Sequence, residues 1–193
     1  MIETLIELDK ELFFFLNGLH VDWLDQVMFW ISDKKIWIPF YAFLAYLIIR
    51  EYKWKAVIWL AGIGLAIAAS DQILSGLMKP FFERYRPSRD PDLEGLVYTI
   101  NGYTGGRYGF ASSHSGNTFA LATFFFLLFR NKYSWIGLLF LWAAIVSYSR
   151  IYLGVHYPGD ILIGAIVGTS LAWIFFNLSC MVKKKYYSKD LVE

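Results

Sequence analysis

The stretch Ser149-Arg150-Ile151-Tyr152-Leu153-Gly154-Val155-His156-Tyr157-Pro158-Gly159-Asp160 decides how this chain is read. It gathers a guanidinium, an imidazole and a carboxylate between two apolar runs. Pro158 fits the first position of a following helix, where its missing N–H costs nothing. That places His156 just before the helix and Asp160 in its first turn, within reach of an imidazole nitrogen. A carboxylate-oriented histidine beside an arginine is equipped to attack phosphate. A plain helix corner with a snorkelling arginine and a capped turn would use the same residues, so the rest of the chain has to decide.

Working outward, the two flanking runs belong to a set of five: 36–49, 56–78, 113–129, 134–149 and 161–182. The 193 residues are 57% hydrophobic and 20% aromatic, with a mean hydropathy of +0.44. A soluble domain is less apolar and spreads its apolar residues in stripes. The expectation is an all-α integral membrane bundle of about five transmembrane helices, forming one domain over 1–193. The run 36–49 is short for a span of roughly 20 residues. Residues 1–33 read as interfacial helices. Leu5, Leu8, Leu12 and Phe15 make an apolar stripe beside Glu3, Glu7 and Lys10, and Trp23, Leu24, Val27, Met28 and Trp30 repeat the pattern. No cleavable leader is read in an N-terminus that carries Glu3, Glu7 and Asp9. Cys180, the lone cysteine, excludes an internal disulfide and reads as an inert buried thiol. Gly164 with Gly168, and Gly62 with Gly64, read as points of close helix packing.

The formal net charge of +2 says little; its distribution says more. Arg50, Lys53 and Lys55, then Arg130 and Lys132, then Lys183, Lys184, Lys185 and Lys189 of the basic tail 183–193 all fall on one side of five spans. The positive-inside rule makes that side cytoplasmic. The opposite side nevertheless holds Lys79, Arg84, Arg86, Arg89, Arg107 and Arg150. Cations on the side that disfavours them call for an anionic substrate. Asp71, inside the second run, either hydrogen-bonds within the bundle or supports Lys79.

Three segments converge on that outer face: Lys79 to Pro87, Phe110 to Asn117, and Ser149 to Asp160. Phosphoryl transfer spreads negative charge over equatorial oxygens, and catalysis is mostly positioning and electrostatics. Lys79, Arg86 and Arg150 supply cations, the arginines bidentately. Ser112 and Ser113 lie where a helix begins, so its N–H groups can meet an anion. Two histidines serve the two ends of an in-line displacement. His156, oriented by Asp160, is the nucleophile and His114 the general acid. His20 is assigned no role. A metal site is the competing use of two histidines and an aspartate, but no second carboxylate is near and the cations would repel a divalent ion. No metal and no cofactor are expected.

These residues closely resemble the type 2 phosphatidic acid phosphatase family of membrane lipid phosphatases. Its first motif, Lys, six residues, Arg-Pro, is Lys79 with Arg86-Pro87. Its third, Ser-Arg, five residues, His, three residues, Asp, is Ser149-Arg150, His156 and Asp160. The second, usually Pro-Ser-Gly-His, reads Ala111-Ser112-Ser113-His114, so Ala111 and Ser113 depart from it. The resemblance implies metal-independent hydrolysis with His156 as nucleophile, Asp160 as its partner and His114 as acid. Lys79, Arg86, Ser112, Ser113 and Arg150 would hold phosphate. Larger members have six spans; the resemblance implies that this chain lacks the first, with its N-terminal helices on the outer surface.

The reading is a membrane lipid phosphatase acting through a phosphohistidine. Candidate substrates are undecaprenyl diphosphate, phosphatidic acid, phosphatidylglycerol phosphate and lipid A phosphates. The expected setting is the bacterial inner membrane, with the site on the periplasmic or extracellular face and the C-terminus cytoplasmic. Partners are a lipid phosphate and the bilayer, with no nucleic acid. The loop 88–110 is expected to cover the site. The rivals are a phosphotransferase of the same family and a non-catalytic protein that binds anionic lipid; two histidines and an orienting aspartate are superfluous to binding alone.

Overall fold

The structure is a computed structural model and describes residues 2–187, so Lys189 and the end of the basic tail lie outside the described residues. Eight α-helices are described: α1 (Ile2–Asn17), α2 (Asp22–Ser32), α3 (Ile38–Tyr52), α4 (Ala56–Asp71), α5 (Lys79–Phe82), α6 (Ser113–Phe129), α7 (Leu138–Tyr152) and α8 (Pro158–Tyr187). Among the described residues there is no strand, only an antiparallel bridge between Tyr85 and Tyr108. Gln72–Met78 is a π-helical stretch that joins α4 to α5. Such a bulge marks functional positions more often than chance.

Among the described residues three stretches are long and apolar enough to cross a membrane: Lys34–Phe82, Ser134–Tyr152 and Pro158–Tyr186. The first has 49 residues. As one straight rod it would measure about 74 Å, far beyond a hydrocarbon core of about 30 Å. Lys53, with φ of +50°, breaks it. α3 then lies back along α4, so that Tyr41 and Ile67, and Ile48 and Leu60, line one groove. The run expected over 36–49 is therefore a helix from Ile38 to Tyr52. α8 begins at Pro158, three residues before the run 161–182, because proline is pre-organised for the first helical turn.

α6 is the axis of the bundle. It packs against α4, α7 and α8, and Ala120, Ala122, Phe124, Phe125 and Phe129 are among its buried residues. A helix apolar on every face belongs at a centre. Around it Leu44, Leu47 and Ile48 of α3, Trp59 and Ile63 of α4, Leu139 and Ala143 of α7 and Ala172 of α8 complete one core.

α1 and α2 lie against the end of the bundle that carries the corner 153–157. Phe13 is fully buried and meets the Tyr157 ring edge-on at 5.3 Å. Leu5, Leu8, Leu12 and Phe15, the stripe read from the sequence, are all exposed. Asn17 ends α1 by fastening it to α7. Its Nδ2 donates to the carbonyls of Ile151 at 3.1 Å and Tyr152 at 3.0 Å, and its Oδ1 accepts from the Tyr98 N–H at 3.0 Å. The last carbonyls of a helix lack intrahelical partners; here α1 supplies them.

Candidate active site

α6 starts where Ser112 adopts an extended backbone and its Oγ accepts from the Ser115 N–H at 3.4 Å, an N-cap. The Ser112 N–H donates to the Asp160 carbonyl at 3.0 Å. The second and third motif segments are thus joined directly. α8 starts in the same manner: Asp160 is three residues past Tyr157, and its Oδ2 accepts from the Tyr157 N–H at 3.0 Å. That is the reach-back of a capping box.

Asp160 therefore serves two purposes. The same Oδ2 stands 3.2 Å from His156 Nδ1, and Oδ1 accepts from Arg84 Nη1 at 2.9 Å. A carboxylate can only accept, so His156 carries its proton on Nδ1 and presents Nε2 as a lone pair. Both side chains are buried, at 1% and 0% exposure. Burial, then the charges of Arg86, Arg150 and Lys79, push the His156 pKa well below its ordinary value. Asp160 opposes that shift but is itself engaged by Arg84, so the cations outweigh it. His156 is a neutral imidazole.

The cations surround this pair. Lys79 Nζ is held by Ser75 Oγ at 3.0 Å and faces Ser113 Oγ at 3.5 Å. Arg86 is 8% exposed, and its Nε donates to the Tyr108 carbonyl at 3.0 Å. Arg150 is 3% exposed. Its Nη1 donates to Ser32 Oγ and its Nη2 to the Tyr103 hydroxyl at 3.3 Å. Arg150 Nε is buried with no partner among the described residues. Burying a charged donor unpaired is costly, and an anion between Arg150, Arg86 and Lys79 would relieve it. His114 lies within electrostatic reach of Arg150, Lys34, His156 and Lys79. All eight residues predicted from sequence thus gather at one end of the bundle.

The loop 88–110 does cover the arginines. A Cβ at Gly105, where φ is +63°, would stand 2.5 Å from Arg86 Nη1. One at Gly109 would stand 3.1 Å from Asp160 Oδ2 and 3.5 Å from His156 Nδ1. Gly105 and Gly109 thus bring the backbone of the loop close against Arg86 and the His156–Asp160 pair. Asp71 accepts from Asn117 Nδ2 at 3.3 Å, and its charge also acts on Lys79, so the bundle role and the support of Lys79 read for it go together. His20 stacks on Tyr98 with centroids 3.6 Å apart.

The PAP2 superfamily profile matches residues 59–183, the part of the chain that carries all three motif segments. The chain belongs to the PAP2 superfamily. A lipid A 4'-phosphatase of Bacteroides thetaiotaomicron is 40% identical, over 93% of this chain and 80% of that protein. A lipid A 4'-phosphatase of Porphyromonas gingivalis is 36% identical, over 96% of this chain and 78% of that one. Among solved structures, the crystal structure of Aquifex aeolicus LpxE superimposes with a TM-score of 0.64 at 25% identity, covering 88% of this chain and 95% of that chain. This PAP2 protein is an enzyme of the lipid-phosphate hydrolase class, with a helical membrane fold.

Sequence reading missed four contributors to the PAP2 site. Arg84 was visible only as one of six outer cations, and Asp9, Ser32 and Tyr103 carried no motif signal. Arg84 bridges Asp160 to Asp9, whose Oδ2 accepts from Arg84 Nη2 at 2.7 Å. Asp9 Oδ1 also accepts from the Gly159 N–H at 2.7 Å.

Proposed function

We propose that this protein removes a phosphate monoester from a lipid head group of the lipid A type, through a phosphohistidine formed on His156. The observation that carries the reading is the His156–Asp160 pair, 3.2 Å apart and buried, set beside Arg150, whose Nε is unpaired. Substrate phosphate binds between Lys79, Arg86 and Arg150, with the Ser113 N–H at the start of α6; the Ser112 N–H is held by the Asp160 carbonyl, so Ser112 shapes that helix start as its N-cap. A phosphate arriving as its monoanion offsets the cations around His114 and supplies it with a proton; His156 Nε2 then attacks phosphorus as the bond to the lipid oxygen breaks, and His114 gives that oxygen the proton. Asp160 stabilises the imidazolium character of the phosphohistidine. Water then attacks phosphorus, returns a proton to His114 and releases inorganic phosphate. Arriving phosphate also cancels part of the cationic field that keeps His156 neutral, so positive charge on the imidazole becomes tolerable at the step that creates it.

A groove of about 430 Å³ runs from His114 and Lys34 down past Leu121 to Ile48 and Phe125. Its walls are apolar, and it begins on the leaving-group side of the site. It takes a hydrocarbon chain of the lipid while the head group stays among the cations. The lipid A assignment rests on the two curated relatives matched over nearly the whole chain. The site opens on the non-cytoplasmic face, opposite Arg50, Lys53, Lys55, Arg130 and Lys132, with five spans and with α1 and α2 in the interface.

The test is inorganic phosphate release by the detergent-solubilised protein from lipid A, phosphatidic acid, phosphatidylglycerol phosphate and undecaprenyl diphosphate, with EDTA present. Release from lipid A at the highest kcat/KM is expected. Preference for the polyprenyl substrate would overturn the lipid A assignment. Phosphate found on a second lipid alcohol instead of free would make the protein a phosphotransferase.

A further inference from the structure

We propose that α1 is a membrane-seated latch on the nucleophile, acting through Asp9 and Arg84; this rests on the phosphatase reading above. Asp9 stands on the face of α1 turned to the bundle. One oxygen takes the Gly159 N–H at 2.7 Å and the other takes Arg84 Nη2 at 2.7 Å. Arg84 Nη1 reaches Asp160 Oδ1 at 2.9 Å, and its guanidinium lies 4.0 Å over the Tyr157 ring. The guanidinium is therefore fixed on three sides, by two carboxylates and an aromatic face. Asp160 has no freedom to turn its other oxygen away from His156. A bidentate arginine between carboxylates has directionality that a lysine would not reproduce.

The adjoining face of α1, reached from Asp9 by way of Leu5 and Leu12 at helical spacing, carries Leu5, Leu8, Leu12 and Phe15, exposed by 62%, 54%, 46% and 65%. That face does not stand alone. α1 crosses the N-terminus of α8 at Gly159, and α8 continues outward with Leu162 at 61% and Ile166 at 53% exposure. Ile161 of α8 packs with Phe13, Phe14 and Leu16 of α1 in one cluster, so the apolar span meets α1 at this crossing. One occupant fits both: the hydrocarbon and head-group boundary of the leaflet that holds the substrate. Seating α1 in that boundary holds Asp9 against Arg84 and Gly159. Lifting it withdraws Asp9 and loosens Asp160, so a nucleophile geometry set by the bilayer follows. Arg84 and Asp9 are positioning residues, since neither touches the phosphate.

The experiment uses the full chain in proteoliposomes, with a short-chain diacyl phosphatidic acid as substrate. Asp9→Asn keeps the shape of the side chain and removes its charge. A fall in kcat of about 10-fold with KM within twofold is expected, because misplacement by a fraction of an ångström acts on the step and not on binding. Asp9→Glu is expected to recover part of that loss. The triple change Leu5→Ser, Leu8→Ser, Leu12→Ser is expected to lower kcat several-fold, and adding Asp9→Asn to it to cost less than the product of the two losses, since both act through one contact. A wild-type protein that releases no phosphate from any lipid would end the phosphatase reading itself. An active wild type with Asp9→Asn at full kcat, or with the two sets of changes multiplying independently, would overturn the latch. Should Asp9→Asn not fold, the triple change and Arg84→Lys carry the same test, with a kcat loss at unchanged KM supporting the latch and a normal kcat overturning it.

Discussion

Gly168 on α8 lies against Gly116 on α6 so closely that a Cβ at Gly168 would stand 1.9 Å from the Gly116 carbonyl oxygen. One turn nearer the site, a Cβ at Gly164 would stand 2.4 Å from the Ser112 carbonyl oxygen. The two backbones touch because Gly164 and Gly168 of α8 and Gly116 of α6 carry no side chain there. α6 bears Ser112, Ser113 and His114; α8 bears Asp160. The close approach brings the Ser112 N–H to 3.0 Å from the Asp160 carbonyl. Small residues at this crossing set the distance between the helix start that bears His114 and the one that bears Asp160.

Gly164→Ala and Gly168→Ala are therefore expected to do different things. Both overpack a rigid backbone contact, at a cost of about 1–3 kcal/mol, read as a lower thermal midpoint in detergent. Gly164→Ala also pushes Ser112 from Asp160, so its kcat is expected to fall further at equal folded fraction. Equal kcat for the two folded variants would show that the crossing serves stability alone.

In the proposed mechanism the histidines divide the reaction. His156→Ala is expected to abolish turnover while lipid still binds, because Lys79, Arg86 and Arg150 remain. His114→Ala is expected to slow hydrolysis of lipid phosphates by about 10²–10⁴-fold and to matter far less for p-nitrophenyl phosphate, whose leaving group needs no proton. A His156→Ala protein with normal kcat would move the nucleophile elsewhere.

Much of this was legible because phosphate chemistry demands particular residue types. Lys79, Arg86, His114, Arg150, His156 and Asp160 are polar groups set at the ends of apolar runs, and each is conspicuous there. Pro158 told where α8 begins. The rest was hidden for physical reasons. Asp9 looks like any other acidic residue on an amphipathic helix until α1 is docked across Gly159. Ser32 and Tyr103 matter only through the Arg150 donors they occupy. The π-helical stretch Gln72–Met78 leaves no periodic trace in seven residues, yet it sets the register that turns Lys79 toward Ser113. The turn at Lys53, with φ of +50°, has no glycine to announce it.

The burial of His156 has a consequence for acid stability. Its pKa is pushed well below the ordinary value by burial and by Arg86, Arg150 and Lys79. In the unfolded chain it takes a proton below about pH 6.5, and in the folded protein it does not. For His156 the unfolded state thus binds more protons in that window, which lowers stability as pH drops below about 6.5; Asp160, pushed up to about 6 chiefly by burial, takes a proton in the folded state lower in the window and offsets part of that loss. The thermal midpoint measured from pH 7.5 to 5 is expected to decline, and His156→Asn to decline less steeply. Parallel slopes for the two proteins would assign the acid sensitivity to other groups.

Orthovanadate is expected to inhibit, and EDTA is not. Vanadate adopts five-coordinate geometry and would mimic the transition state that the proposed mechanism sets among Lys79, Arg86 and Arg150, with His156 Nε2 as an axial ligand. A transition-state analogue uses interactions that the ground state does not, often gaining 10²-fold or more in affinity. Arg150 Nε, buried and unpaired, is one donor that such an anion would satisfy. Chelation removes nothing if the cations alone neutralise the phosphate. Asp160 is poorly placed to hold a metal, since Arg84 occupies one oxygen at 2.9 Å and Tyr157 N–H with His156 the other. His156→Ala should weaken vanadate by removing the axial nitrogen, whereas Arg84→Lys should weaken it less, because Arg84 does not face the anion. Activity lost in EDTA and restored by Mg²⁺ would mean that Asp160 exchanges Arg84 for a metal, and the phosphohistidine scheme would then fail.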